Sequence, residues 1–127
     1  MTTAPPDGSL QDVRVLIVED EALVAMLLED MLEDMGCKLV GSASTVDQAV
    51  ETAKVAEIDV AILDMNLGGK PVLPVAEVLA SRGKPFIFAT GYGESGVPEA
   101  WRDRPTLQKP FSMNDVEAAL RTAVGRG

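Results

Sequence analysis

At 127 residues the chain has the size of one domain with a real core, and no apolar run is long enough to cross a bilayer. A net charge of −9 offers phosphates no basic face, which excludes nucleic acid and leaves divalent cations and basic protein surfaces as charged partners. With no histidine and one cysteine, the chain carries no serine-type triad, no histidine acid–base group and no internal disulfide.

No basic, apolar signal-peptide pattern opens the chain, so a soluble, cytoplasmic protein without membrane contact is expected. Residues 1–12 hold two prolines, a glycine and little apolar material, and read as a flexible tail. The domain then runs over residues 13–124. Val13 to Val18 form a strand, stopped by Glu19-Asp20-Glu21. From Glu21 to Met35 the period becomes helical, with Val24, Leu27, Leu28, Met31, Leu32 and Met35 on one stripe and Gly36 as the stop. Cys37 to Ala43 make a second strand, which places Cys37 in its core rather than in a nucleophilic role. Thr45-x-x-Gln48 is a capping box for a second helix that turns Val46, Ala49, Val50 and Ala53 inward.

Ile58 to Asn66 is the stretch that organises the rest. Val60-Ala61-Ile62-Leu63 is too continuously apolar for a strand with one wet face, so it reads as a central parallel strand ending in Asp64. Pro71 and Pro74 bracket the start of a third helix through Val75, Val78 and Leu79, which Gly83 ends. Pro85 to Ala89 form a fourth strand ending at Thr90, and Thr106-Leu107-Gln108 a short fifth ending at Lys109-Pro110. Ser112-x-x-Asp115 opens the last helix, with Met113, Val116, Leu120 and Val124 on its buried face.

Strands and helices alternating in this way predict an α/β fold, a doubly wound five-stranded parallel sheet with helices on both faces. Right-handed crossovers then bring every strand's carboxyl end to one edge. Glu19, Asp20, Asp64, Thr90 and Lys109 would meet there. Crowded carboxylates repel, and a shared proton or a cation relieves them. An all-oxygen set favours Mg²⁺, which takes one or two carboxylates and keeps waters. Lys109 and Thr90 suit phosphoryl oxygens, and Asp64 is the best-placed nucleophile for an acyl phosphate. Each residue alone has a plainer reading: Asp20 as a helix N-cap, Thr90 as a strand end, Lys109 as a solvated lysine.

The motifs Val18-Glu19-Asp20, Leu63-Asp64-Met65-Asn66, Ala89-Thr90-Gly91 and Lys109-Pro110-Phe111 resemble those of a response-regulator receiver domain (the flavodoxin-like, CheY-like fold) over Asp12 to Val124. The resemblance implies that Asp64 accepts phosphate from a phosphohistidine on a sensor histidine kinase or phosphotransfer protein. It implies that Asp20, Asp64 and the Asn66 carbonyl hold Mg²⁺, with Glu19 acting through a metal-bound water. Thr90 and Lys109 would bind the phosphoryl group, and the Lys109–Pro110 bond would be cis. The run Pro85-Phe86-Ile87-Phe88-Ala89-Thr90-Gly91-Tyr92 is similar to single-domain receivers with a Phe-Ala-Thr-Gly signature, a subgroup tied to bacterial stress signalling. Two departures stand out: Glu rather than Asp at position 19, and Thr106 where the family usually has an aromatic switch.

Nothing that reads as an output domain follows the last helix, so a monomer acting through contact with a downstream protein is expected. It would be no enzyme beyond catalysing its own phosphorylation and slow dephosphorylation. Other readings are a receiver-shaped binding module that never carries phosphate and a small aspartyl-phosphate phosphohydrolase. The hydrolase reading wants a second aspartate two residues after Asp64, where Asn66 stands. Gly91-Tyr92-Gly93-Glu94-Ser95-Gly96 fits a dinucleotide fingerprint, but Val97-Pro98 denies it the helix it needs. That glycine-rich run, followed by Pro98 and Pro105, predicts a loop with one short turn around Glu99 to Arg102 where a fourth helix would be. Thr90, Tyr92, Trp101 and Lys109 are then the expected switch residues.

Overall fold

The computed structural model describes residues 10–91 and 96–125. Strands β1 (Arg14–Val18), β2 (Lys38–Ala43), β3 (Val60–Asp64), β6 (Phe86–Thr90) and β7 (Thr106–Gln108) form one sheet. Its order is β2-β1-β3-β6-β7, with every pair parallel, so the reversal of strand order falls beside β1 and β3. Helices α1 (Ala22–Asp34), α2 (Val46–Val55), α3 (Leu73–Ser81) and α4 (Met113–Val124) cover it. This is the doubly wound architecture that the strand–helix alternation predicts.

The side chains of each central strand alternate between two cores. Leu16, Val18, Ala61, Leu63, Phe86 and Phe88 join Ala49, Ala53, Val75, Ala76 and Leu79 of α2 and α3. Val15, Ile17, Val60, Ile62, Ile87 and Leu107 join Leu28 and Leu32 of α1 and Val116 and Leu120 of α4. All five residues of β3 are buried, as its unbroken apolar run requires. Each fully buried Leu, Ile or Phe contributes on the order of 1.5–3 kcal/mol by leaving water, so β3 and β6 are the firmest footing in the molecule. Arg14 ties β1 to the entry of β3 through a bidentate pair with Asp59, with contacts of 3.0 and 3.2 Å.

Several expectations need correcting. Leu10, assigned to the loose tail, is buried in the α1–α4 core, and the Asp12 N–H bonds Gly36 O at 2.8 Å. The chain is therefore anchored before the first strand. Cys37 precedes β2 rather than lying in it, and its Sγ is 3.5 Å from Leu10 O. The buried stripe of α1 is Ala25, Leu28 and Leu32, while Leu27 is exposed, as are Leu23 and Met26. That helix is apolar around most of its circumference, so spacing alone did not single out the inner face. Asp20 is not its N-cap; Glu21 takes that place and makes no side-chain cap bond. Met113 is exposed, while Val116 and Leu120 carry the burial of α4. The capping box of α4 forms as expected, through Ser112 with Asp115, whereas α2 has half of one: Thr45 Oγ1 accepts from the Gln48 N–H, but the Gln48 side chain accepts from the Ser44 N–H instead of that of Thr45.

Pro71 and Pro74 bracket the start of α3 as expected, with Val72 as its N-cap. Pro71 also closes a small antiparallel hairpin, β4 (Asn66–Leu67) with β5 (Lys70–Pro71), turned by Gly68 and Gly69 at φ of 56° and 86°. Two positive φ angles in a two-residue loop are the demand of a type I′ turn, which glycine meets without strain. Between β6 and β7 the described residues include a 3₁₀ turn at Glu99–Trp101, in line with the predicted short turn. Residues 92–95, with Tyr92 among them, lie outside the described residues. Trp101 meets Phe86 edge-on at 5.6 Å, and the Arg104 guanidinium lies 4.4 Å over the Phe86 ring. Val97 is buried, and its carbonyl accepts from Arg102 Nε at 2.9 Å. This segment therefore has three anchors, Val97, Trp101 and Arg104.

At the sheet's two ends, β2 exposes Leu39 and Val40 behind a register shift opposite Val15 and Leu16, and β7 is only three residues long.

Candidate phosphoacceptor site

Parallel strands end on one side, so β1, β3, β6 and β7 deliver Glu19, Asp64, Thr90 and Lys109 to the same edge. Among the described residues, the buried polar or charged side chains are Glu19, Asp64 and Thr90, and all three are sequence candidates. Burying two carboxylates is costly without a partner, and Lys109 supplies it. Its Nζ lies 3.1 Å from Glu19 Oε1 and 3.3 Å from Asp64 Oδ2. The ammonium thus bridges residues 45 apart in the chain. Lys109 is fixed from behind by its own backbone, whose N–H donates to Thr90 O at 2.9 Å, and the Lys109–Pro110 bond is cis.

The remaining carboxylate oxygens are held by backbone donors. Glu19 Oε2 accepts from the Glu21 N–H at 3.0 Å, and Asp64 Oδ1 from the Asn66 N–H at 3.3 Å. Asp20 is exposed, and its Oδ2 accepts from the Gly68 N–H at 2.9 Å. Burial pushes the Glu19 carboxyl up to about 6, helped by the adjacent Asp64 and opposed by the hydrogen bonds from Glu21 and Lys109. Desolvation works against the charge of Lys109, but Glu19 and Asp64 outweigh it and raise its pKa. For Asp20 the same desolvation is outweighed by the Gly68 N–H and other donors, and its pKa is lowered.

The structure thus brings Glu19, Asp64 and Lys109 into direct contact and ends β6 with Thr90 beside them. Trp101 stands apart, on the Phe86 side of the sheet. Cation ligands fall out somewhat differently from expectation. Glu19, Asp20 and Glu21 each offer a carboxylate oxygen, all within 4.8 Å of one another. Such an all-oxygen donor set fits Mg²⁺. Asp64 is not one of that trio; Lys109 and the Asn66 N–H hold its oxygens. Glu21 and Gly68 were missed in sequence. Glu21 read as the first helical residue, and Gly68 acts only through its backbone.

A cavity of about 280 Å³, lined by Val24, Leu27, Lys109, Pro110 and Phe111, opens beside the Lys109 end of the site. The exposed Leu23, Met26 and Leu27 of α1 extend that apolar surface.

Comparison with known proteins gives a consistent picture. The transcriptional regulatory protein PdtaR of Mycobacterium tuberculosis is 37% identical over 117 residues, which cover 89% of this chain and 57% of that protein. The phyllosphere-induced regulator PhyR of Methylorubrum extorquens is 34% identical over 115 residues, covering 87% and 43%. The chain therefore spans about half the length of these curated relatives. The solution structure of SdrG from Sphingomonas melonis Fr1 superimposes with a TM-score of 0.79 at 50% identity, covering 89% of this chain and 96% of that one. The model of the response regulator receiver domain matches residues 15–121, a span that takes in every site residue described above, and the chain belongs to that family.

Proposed function

We propose that the chain accepts a phosphoryl group from a phosphohistidine onto Asp64 and passes the signal on by protein contact, as a response regulator of a two-component phosphorelay. The observation that carries this reading is the Lys109 bridge. An ammonium 3.1 and 3.3 Å from two buried carboxylates holds a nucleophile at the carboxyl end of the central strand. Asp64 is nearly covered at 7% exposure, so it reacts with a group presented end-on from the site's mouth.

In the transfer, an Asp64 carboxylate oxygen attacks phosphorus on the side opposite the imidazole. The new O–P bond makes an acyl phosphate as the N–P bond breaks, and the electron pair returns to the imidazole nitrogen. Lys109, released from the Asp64 oxygen that reacts, pairs with a phosphoryl oxygen, and the Thr90 hydroxyl donates to another. Glu19 and Asp20, with Asp64 and the Asn66 carbonyl, would hold Mg²⁺, which neutralises charge on the phosphoryl oxygens. Beyond this self-modification and slow hydrolysis of the acyl phosphate, the chain would catalyse nothing.

The donor is a sensor histidine kinase or a phosphotransfer protein. Leu23, Met26, Leu27 and the cavity at Pro110 and Phe111 give its apolar helical surface a place to dock beside Asp64. Among the described residues no helix is long and apolar enough to cross a membrane, in keeping with work in the cytoplasm. The likeness to PhyR, an anti-anti-sigma factor in Bartonella quintana, favours a place in bacterial stress signalling.

Incubation with acetyl phosphate and Mg²⁺, followed by intact mass, tests the reading. One acid-labile, hydroxylamine-sensitive phosphoryl group per chain is expected, and none on Asp64→Asn. Uptake by Asp64→Asn would move the nucleophile elsewhere. No uptake by the parent would leave a binding module, and continuous phosphate release a hydrolase.

A further inference from the structure

The β4–β5 hairpin leaves the sheet directly after Asp64 and reaches across to the loop after β1. Its base is fixed: Leu67 is buried, and the Val72 N–H donates to Met65 O at 2.9 Å. Its tip is exposed, and there the Gly68 N–H donates to Asp20 Oδ2 at 2.9 Å, joining residues 48 apart. The turn depends on φ of 56° at Gly68 and 86° at Gly69. Apart from the chain neighbours, no atom of the described residues lies within 4 Å of a Cβ built at either glycine, so backbone conformation is what favours glycine there.

Asp20 is exposed, and a solvated aspartate loses rotamer freedom when it ligates an ion. The backbone donor on Oδ2 helps to orient the carboxylate while leaving it acceptor positions for an ion. Its partial positive charge also offsets the repulsion from Glu19 close by.

We propose that the Gly68-Gly69 hairpin is a positioning element for the cation site, its Gly68 N–H holding the Asp20 carboxylate in its ion-binding orientation. This rests on the reading of Asp20 as a cation ligand. Hairpin formation and ion affinity are then linked, and linkage is reciprocal: whatever loosens the turn weakens the ion, and the ion tightens the turn. Asp20 is thereby connected to the segment that follows the phosphoacceptor, although they come from different strands.

Two substitutions separate the turn from the rest of the fold. Gly69→Val places a β-branched residue at a left-handed position and should lower Mg²⁺ affinity about three- to tenfold, as measured by calorimetry on the full chain. Gly68→Asn keeps the N–H and tolerates positive φ, so its affinity should stay within about twofold of the parent. The urea midpoint of ion-free protein should change little in either, which a purely structural role would not allow. Without ion, Asp20→Ala should speed hydrogen exchange at the Gly68 amide, and Mg²⁺ should slow that exchange in the parent. A parent that binds no Mg²⁺ overturns the cation reading and this proposal together. A parent that binds it while Gly69→Val binds as tightly, or more tightly, overturns only the hairpin's role.

Discussion

Replacing Lys109 with methionine removes the ammonium and keeps most of the apolar stem beside Val24 and Leu27. If Glu19 and Asp64 both stayed ionised, the loss would be that of a broken buried pair, about 3–5 kcal/mol. Glu19 offers a way out, because its carboxyl, already raised to about 6 by burial, can take up a proton. In the parent, protonating such a group at pH 7 costs about 1.4 kcal/mol, one pH unit of titration, and the cost falls once Lys109, which opposes the rise, is gone. A raised carboxyl pKa contributes stability that is complete below the unfolded value and is lost as pH climbs through the folded one. In the parent that loss runs from about pH 4.5 to pH 6. Without the lysine it extends past neutrality. The penalty for Lys109→Met should therefore be about 1.4 kcal/mol larger at pH 7 than at pH 5. Urea unfolding of both proteins in chelator at the two pH values measures it. Adding Glu19→Gln to each background should erase the difference. A penalty of 3 kcal/mol or more that is equal at both pH values would show that Glu19 stays ionised and that the reasoning is wrong.

Three further outcomes are expected. Trp101→Ala loses the edge-on contact with Phe86 and the Arg104 guanidinium 5.5 Å from its ring, and half-burial sets the cost at about 2 kcal/mol in thermal unfolding. An unchanged melting temperature would mean that this segment is not anchored through Trp101. Burial pushes the Cys37 thiol up to about 11, so iodoacetamide at pH 8 should modify it at least about tenfold more slowly in the native protein than in urea; equal rates would refute this. Leu27→Glu, on the exposed side of α1, should cut transfer from a phosphohistidine protein about tenfold while leaving uptake from acetyl phosphate unchanged. Equal loss from both donors would place Leu27 in the chemistry rather than in docking.

What could be read in sequence depended on how local its cause was. β3 and β6 announce themselves because burial on both faces leaves no polar position inside them. Helices α2 and α4 are legible from their N-caps, Thr45 and Ser112, which are short-range chemistry. The site residues followed from topology, since parallel strands bring their carboxyl ends together wherever they lie in the chain. Other features have causes that are not local. Leu10 is one apolar residue in a polar stretch, and only its packing into the core of α1 and α4 explains its burial. The outer leucines of α1 differ from the inner ones only in what faces them. Gly68-Gly69 did carry a hairpin signal, but with strands of two residues each there was no alternation to support it. The Lys109 bridge needed distances, and the stacking of Arg104 over Phe86 needed a third dimension.

The ends of the sheet carry a further consequence. An open edge is a template on which another chain, a second copy included, can add a strand. Here β7 offers only three residues. On the other side, the register shift between Val15 and Leu16 disturbs the flat run that β2 would otherwise present, and Lys38 opens that strand with a charge. Leu39 and Val40 can therefore be exposed without inviting edge-to-edge growth. Lengthening β7 or removing the irregularity opposite Val15 would leave the residues at the strands' carboxyl ends in place and trade a discrete protein for an aggregating one.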